Sequence, residues 1–319
     1  MTKVLVTGAN GFIGRALTVA LCQAGYTVRS AMRRPEFPLG PLGSEEVAVG
    51  DLGSQPDWTE ALDGMEAVVH LAGRVHVMRE HAQDPLAEFR KVNVRATEHL
   101  ASHAANVGVR RFIYISSIGV NGNRTGLDPF REQDAPQPHN AYSVSKWEAE
   151  QALVGVSTET SMEYVVLRLP LVYGPGAKGN FLALLQAVRH GVPLPLASVD
   201  NRRSLISIGN LTSAIAKCLS CPAAAGKTYL VSDGEDVSTP ELIRRMADAL
   251  GSSARLWPAP VWLLRWVSGL AGQVRQLEQL IGNLVVDSSR IRQDLDWTPP
   301  VSMRDELRTV AAWFRGRRP

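Results

Sequence analysis

The 319-residue chain contains only three cysteines, Cys22, Cys218 and Cys221. An odd and low count excludes a disulfide framework and points to a reducing, cytoplasmic compartment. Cys218 and Cys221 form a "CLSC" pair, but no second Cys or His pair follows it, so the two small residues read as the close of a helix. Aromatic residues are few, 6% of the chain, and do not interleave with basic runs, which excludes a nucleic-acid surface. Charge of one sign is lacking too: 34 Lys and Arg against 31 Asp and Glu leave +3, with the final "RGRRP" acting as a solvating tail. That small positive balance suits an anionic small substrate. No apolar run is long enough for a membrane span; "APVWLLRWVSGLAG" is short and carries Arg265. It reads as core or lid packing rather than as a membrane-surface contact through Trp262 and Trp266. The opening "MTKVLVTGANGF" has neither a basic leader nor a long apolar stretch, so no secretory signal is expected.

What the chain does have is alternation. "KVLVTG" is a short β-branched run ending in glycine, and "FIGRALTVALCQAG" carries apolar residues at helical spacing. "YTVRSAM", "EEVAVGD", "EAVVHLAG", "RRFIYISS" and "MEYVVLRL" read as further strands. "PLAEFRKVNVRATEHLASHAANVG" reads as one long amphipathic helix. Such crossovers predict an α/β fold built on a doubly wound parallel sheet, with ligands at the carboxyl ends of its strands. Past about residue 170 the texture turns Gly/Pro-rich and less regular. The expected division is a dinucleotide-binding part over 1–170 and a smaller α/β substrate lobe over 171–319. Segments around 203–231, "KTYLVSD" among them, are expected to return to the sheet.

"TGANGFIG" puts Gly8, Gly11 and Gly14, with Phe12 and Ile13 between them, at the joint of first strand and first helix. A sharp turn without side chains lets backbone amides approach a pyrophosphate, which then faces the positive end of the helix dipole. The end of the second strand reads "VRSAMRRPE": an acid that would bond a ribose 2′-hydroxyl is missing, and Arg33 and Arg34 stand there instead. Arginine pairs with a 2′-phosphate, so NADP(H) is favoured over NAD(H). Asp51 and Leu52, at the end of the third strand, are expected to bracket the adenine.

In "NAYSVSKWEAE" a phenol, Tyr142, lies one helical turn before an ammonium, Lys146. Taken alone, the pair is as compatible with a surface helix as with a proton donor and its activator. A nearby positive charge favours a phenolate and lowers its pKa from about 10.

"TGANGFIG", "HLAG", Asn93 in "KVNVRAT", "ISS", "YSVSK" and "LRLPLVYGPG" occur in that order along nearly the whole chain. Together they resemble the extended short-chain dehydrogenase/reductases of the NAD-dependent epimerase/dehydratase group, which act on nucleotide sugars on a Rossmann sheet. The resemblance implies Ser117, Tyr142 and Lys146 as the catalytic set, with Ser117 preferred over Ser116. It implies Lys146 on the nicotinamide ribose, Asn93 supporting that lysine through water, and cofactor contacts from Leu71, Ala72, Gly73 and Pro170. Dehydratases of the group carry an Asp-Glu pair where this chain has Ile118 and Gly119, which argues against dehydration. For a UDP-sugar the resemblance implies Asn180 in "GNF" and Arg203 in "NRRSLISIGNL" at the diphosphate, with Arg202 as the fallback. It adds Leu194 and Leu196 at the base, and Asp287 in "VVDSSRIRQDLDWTPP". The run after the sixth strand departs from the group's pattern at Leu169, Pro170 and Leu171, and Asp296 replaces its late glycine.

The resemblance further implies a homodimer through the helices at 87–107 and at Tyr142. It favours an NAD(P)H-dependent 4-keto reductase of a UDP-activated N-acetyl-6-deoxy hexose, in the synthesis of surface-polysaccharide precursors. A UDP-hexose 4-epimerase with tightly bound NAD is the alternative. A non-catalytic dinucleotide binder and a reductase of non-sugar ketones stand further off. His76, Arg79 and His81 read as surface loop, and His99 and His103 as a helical pair without a third metal ligand.

Arg33→Ala is expected to weaken NADPH binding about tenfold, the worth of one hydrogen bond to a charged group. A fluorescence titration with unchanged affinity would remove Arg33 from the cofactor site.

Overall fold

The computed structural model describes residues 1–34, 44–75, 83–270, 272 and 274–316. Its strands are β1 (Lys3–Thr7), β2 (Thr27–Met32), β3 (Glu45–Ala48), β4 (Ala67–His70), β5 (Arg111–Ser117), β6 (Glu163–Leu169), β7 (Leu171–Tyr173), β8 (Arg203–Ser207), β9 (Lys227–Leu230) and β10 (Asp236–Val237). Its helices are α1 (Phe12–Gln23), α2 (Thr59–Leu62), α3 (Pro85–Phe89), α4 (Ala96–Asn106), α5 (Ala141–Glu159), α6 (Gly179–Arg189), α7 (Ile208–Ser220), α8 (Thr239–Leu250), α9 (Val261–Leu270), α10 (Val274–Ile281), α11 (Ser289–Leu295) and α12 (Met303–Gly316).

Seven strands form one parallel sheet in the order β3-β2-β1-β4-β5-β6-β9. Its inner strands β1, β4, β5 and β6 are largely buried and apolar on both faces, as a sheet covered on both sides requires. Val4 and Val6 of β1, with Ile113 and Ile115 of β5, face the core shared with α1 and α7. Leu5, Phe112 and Tyr114 face the opposite core, shared with α2, α4 and α5. The strand order reverses between β1 and β4, and a crevice opens there at their carboxyl ends. A smaller sheet, β10-β8-β7, carries the lobe, whose own core is built from α6, α8 and α12. Phe12, in the glycine turn, packs against both the sheet core and the lobe core.

Four expectations are corrected. The third strand ends at Ala48, not at Asp51. The long helix over 85–106 is α3, one π-helical turn at Arg90–Arg95, and α4; the extra residue of that turn rotates Asn93 inward, where it is buried. Of the stretch 203–231, only β9 enters the large sheet, while β8 belongs to the small one and α7 covers the large sheet's face. Finally, Trp262 and Trp266 are exposed rather than packed into a core, because α9 turns its other side, Val261 and Leu264, to the lobe.

Arg111, at the start of β5, is fully buried. Its Nε and Nη2 donate to Glu163 at 2.8 and 2.6 Å, and Nη1 donates to the carbonyls of Cys218, Leu219 and Cys221 at 2.6, 3.2 and 2.8 Å. One guanidinium thus satisfies the carbonyls left over where α7 ends, which is the work of the "CLSC" stretch. Arg111→Met is expected to lower the unfolding free energy by about 3 kcal/mol, since it strands those carbonyls and Glu163. Chemical denaturation checks this, and a loss under about 0.5 kcal/mol, the size of an ordinary surface change, contradicts it.

Candidate functional site

The site begins where β1 gives way to α1. Gly8 has φ +68°, and a Cβ there would stand 2.9 Å from the backbone nitrogen of Ala72, just past β4. Gly14 presses its helix so close to the turn that a Cβ would meet the Gly8 carbonyl at 2.2 Å. Gly11 caps α1 without offering a side-chain acceptor to the first N–H groups. A backbone cradle at a helix N-terminus is the shape a dinucleotide pyrophosphate fits. Phe12 and Ile13 are half-buried beside it. Arg33 and Arg34 follow β2 directly and are exposed, with 35–43 outside the described residues. Asp51 is exposed, and its carboxylate accepts from the Gly53 N–H at 2.9 Å; Leu52 is half-buried. Pro170, buried, joins β6 to β7.

Leu71, Ala72 and Gly73 continue β4 into the crevice. The Ala72 N–H donates to Thr7 Oγ1 at 3.2 Å. Thr7 Oγ1 lies 2.7 Å from His70 Nδ1, and His70 Nε2 lies 3.1 Å from Thr97 Oγ1, which donates to the Asn93 carbonyl at 2.6 Å. Since the Thr97 hydroxyl donates onward, these partners assign the ring proton to Nε2 and make Nδ1 an acceptor. Burial, aided by the charge of Lys146, pushes His70 down to about 3, so the ring is neutral. His70 was not among the expected site residues; a histidine inside the apolar "EAVVHLAG" was its one signal.

Asn93 clamps the next peptide. Its Oδ1 accepts from the Arg74 N–H at 2.7 Å, and its Nδ2 donates to the Arg74 carbonyl at 3.0 Å and to Ser145 Oγ at 2.9 Å. A Cβ on Gly73 would sit 2.9 Å from Asn93 Oδ1 and 3.7 Å from Lys146 Nζ. Asn93 and Lys146 therefore face each other across a residue with no side chain.

Helix α5 is fixed at its start by a reciprocal box: the Ser143 N–H donates to Asn140 Oδ1, and the Asn140 N–H donates to Ser143 Oγ. Tyr142 follows in the first turn, with Phe89 edge-on at 6.0 Å. Lys146 is buried, donates to the Ile115 carbonyl at 2.8 Å and lies 4.6 Å over the Tyr114 ring. Burial pulls its ammonium down to about 8, against the opposing pull of Glu150 one turn on. Burial pushes the Tyr142 phenol up to about 12, moderated by a hydrogen bond with Ser117. The expected depression of this phenol by Lys146 is not seen: desolvation sets the direction of its shift, and the Lys146 ammonium is directed at Ile115 and Tyr114.

The two serines that end β5 part company. Ser117, half-buried, meets Tyr142 and accepts from the Gly119 N–H at 3.1 Å. Ser116 is buried and donates to Glu150, which Arg168 grips at 2.7 Å while also donating to Asn121 at 2.9 Å. Ile118 and Gly119 follow in a short turn and bring no carboxylate.

In the lobe, exposed Asn180 donates to Gln279 at 2.7 Å, and half-buried Arg203 donates to the Gly282 carbonyl at 2.9 Å. The two thus converge on one segment at the end of α10. Leu194 pairs with Leu256 and is half-buried, while Leu196 is inside the lobe core rather than on a wall. Asp287 stands 3.5 Å from Arg131 and lines a pocket of about 370 Å³ with Arg202 and Arg292, which Arg203 does not line. Alternate residues of an extended chain point to opposite faces, so Arg202 and Arg203 part. His76, Arg79 and His81 lie outside the described residues. His99 and His103 stack at 4.2 Å, and among the described residues no three His, Cys, Asp or Glu side chains gather as metal ligands.

This is a dinucleotide-binding oxidoreductase fold with Ser, Tyr and Lys at the strand ends. The sequence model of the NAD dependent epimerase/dehydratase family matches residues 4–232, and the chain belongs to that family. It is an enzyme of the extended short-chain dehydrogenase/reductase type. A "UDP-glucose 4-epimerase" from Vibrio cholerae is 40% identical over 98% of this chain and 95% of its own length. The solved structure of MoeE5 in complex with UDP-glucuronic acid and NAD is 26% identical, with a TM-score of 0.79 over 98% of this chain and 99% of that one. The UDP-glucose 4-epimerase of Thermotoga maritima, solved with UDP-glucose, shares the fold at 20% identity and TM-score 0.78, covering 98% and 99% of the two chains.

With carbon-13 in the lysine side chains, Lys146 is expected to titrate by NMR with a midpoint about 8 in protein without added dinucleotide. An ordinary midpoint near 10.4 would contradict the burial argument.

Proposed function

We propose that this enzyme reduces the 4-keto group of a UDP-activated N-acetyl-6-deoxy hexose, with NADP(H) favoured over NAD(H), in the supply of surface-polysaccharide precursors. The observation that carries the chemistry is the pairing of Tyr142 with Ser117 at the carboxyl end of β5, above buried Lys146. A keto oxygen received between the two hydroxyls takes a hydrogen bond from each. A phenol held at about 12 stays protonated at neutral pH, so Tyr142 is set as the donor that a reduction needs. The Lys146 ammonium, one turn along the helix from Tyr142, is assigned to a ribose hydroxyl. The nicotinamide supplies the hydride when bound. Gly8, Gly11 and Gly14 would hold its pyrophosphate, with Leu71 to Gly73 along the crevice. Arg33 and Arg34, with no acid at the end of β2, favour a 2′-phosphorylated cofactor that comes and goes with each turnover.

For the sugar nucleotide, Asn180 and Arg203 are assigned to the diphosphate, which a guanidinium binds in bidentate fashion, and Leu194 to the base. Leu196 is set aside by its burial in the lobe core, and Asp287 is kept as a further substrate contact. A homodimer through α4 and α5 is part of the same reading. The V. cholerae relative, at 40% identity, favours a second reading: 4-epimerisation with a retained NAD, using the same three side chains.

The two readings separate in one assay. UDP-4-keto-6-deoxy-N-acetylglucosamine with NADPH is expected to consume reduced cofactor in stoichiometric amount. Interconversion of UDP-hexoses at C4 without added cofactor, and no NADPH loss, would establish the epimerase instead. Tyr142→Phe is expected to lower turnover at least about a hundredfold while NADPH still binds. Full activity in that variant would overturn the assignment of the proton donor.

A further inference from the structure

Helix α9 buries none of its residues fully. Its inner side, Val261 and Leu264, rests half-buried on the lobe core, as do Leu277 and Leu280 of α10. Its outer side is a stripe at i, i+4 and i+8: Trp262, Trp266 and Leu270, 70%, 62% and 74% exposed. Val267 and Val274 widen the stripe, and exposed Trp257 stands just before the hairpin. Arg265 sits between the two tryptophans and donates to Glu278 of α10 at 2.8 Å, which ties the two helices together. Among the described residues no helix is long and apolar enough to cross a membrane, so whatever covers this stripe lies against it rather than around it.

Residue chemistry and charge select the occupant. Indoles with one wet edge suit the headgroup layer of a bilayer, where the ring is buried and the N–H stays hydrated. Residues 252–283 contain three arginines, Arg255, Arg265 and Arg275, and one carboxylate, Glu278, a surplus of +2. Arg265 is paired with Glu278, so the surplus of the segment rests on its other two arginines, and an anionic lipid surface meets that surplus with opposite charge. The hairpin also borders the segment where Asn180 and Arg203 converge.

We propose that the α9–α10 hairpin is a docking surface for an anionic phospholipid bilayer, lying in its plane with Trp262, Trp266 and Leu270 in the headgroup layer. The inference goes beyond the proposed reaction and does not depend on which sugar is turned over.

The test is co-sedimentation of the full chain with vesicles of phosphatidylcholine alone and of phosphatidylcholine with a quarter phosphatidylglycerol. The full chain is expected to sediment with the anionic vesicles, less so as salt is raised. Brominated lipid is expected to quench its tryptophan fluorescence. The double variant Trp262→Ala/Trp266→Ala is expected to lose at least tenfold in partitioning while its NADPH affinity and circular dichroism are unchanged. Arg255→Glu, at an exposed position, is expected to weaken binding to the anionic vesicles. No sedimentation with either vesicle overturns the proposal. So does a tryptophan double variant that partitions as the parent does, or one that only converts a dimer to a monomer in analytical ultracentrifugation.

Discussion

The ends of β1 and β4 approach so closely at Gly8 and Ala72 that nothing larger than hydrogen fits between them, and the rest of the site follows from that contact. The approach opens the crevice at the point where the strand order reverses. It also brings Thr7 within reach of both Ala72 and His70. From there a single file of hydrogen bonds runs through His70 and Thr97 to Asn93, which holds Arg74 and Ser145. Main-chain turn, crossover helix α4 and helix α5 are therefore registered to one another by groups that are neutral. A histidine held at about 3 carries no charge at any pH near neutrality, so this scaffold does not titrate while the lysine beside it does.

Beneath the site lies a second, charged layer. Glu150 faces Lys146 from one side and is gripped by Arg168 from another, with Ser116 as a third partner. A buried carboxylate left alone would be costly, and here each oxygen has a partner. The layer opposes the loss of the lysine's charge without neutralising it by direct contact. The result is an ammonium near its titration point under a phenol that keeps its proton.

Much of this was legible in the residues. Alternating strands and helices, the three glycines and the Tyr-Lys spacing are local patterns, and local patterns survive in a sequence. The π turn did not show, because the apolar spacing of 85–106 continues across it while one added residue rotates Asn93 inward. The direction of the Tyr142 shift was hidden as well: spacing brings the lysine near, but desolvation is set by Phe89, Tyr114 and the strands around them. Arg202 and Arg203 are indistinguishable as letters; only strand alternation sends one to Asp236 and the other to Gly282. An apolar helix such as α9 reads as core until its neighbours are known, and here they cover only one side.

Phe12 belongs to the glycine turn, yet its ring packs into both the sheet core and the lobe core, and a Cβ added to Gly176 of the lobe would stand 3.5 Å from it. One side chain thus serves as a shared keystone. If the lobe swings away, a cavity opens beside the very turn that shapes the pyrophosphate cradle; if that turn tightens, the lobe is drawn in. Through this ring, the seating of the lobe and the shape of the glycine turn are a single arrangement.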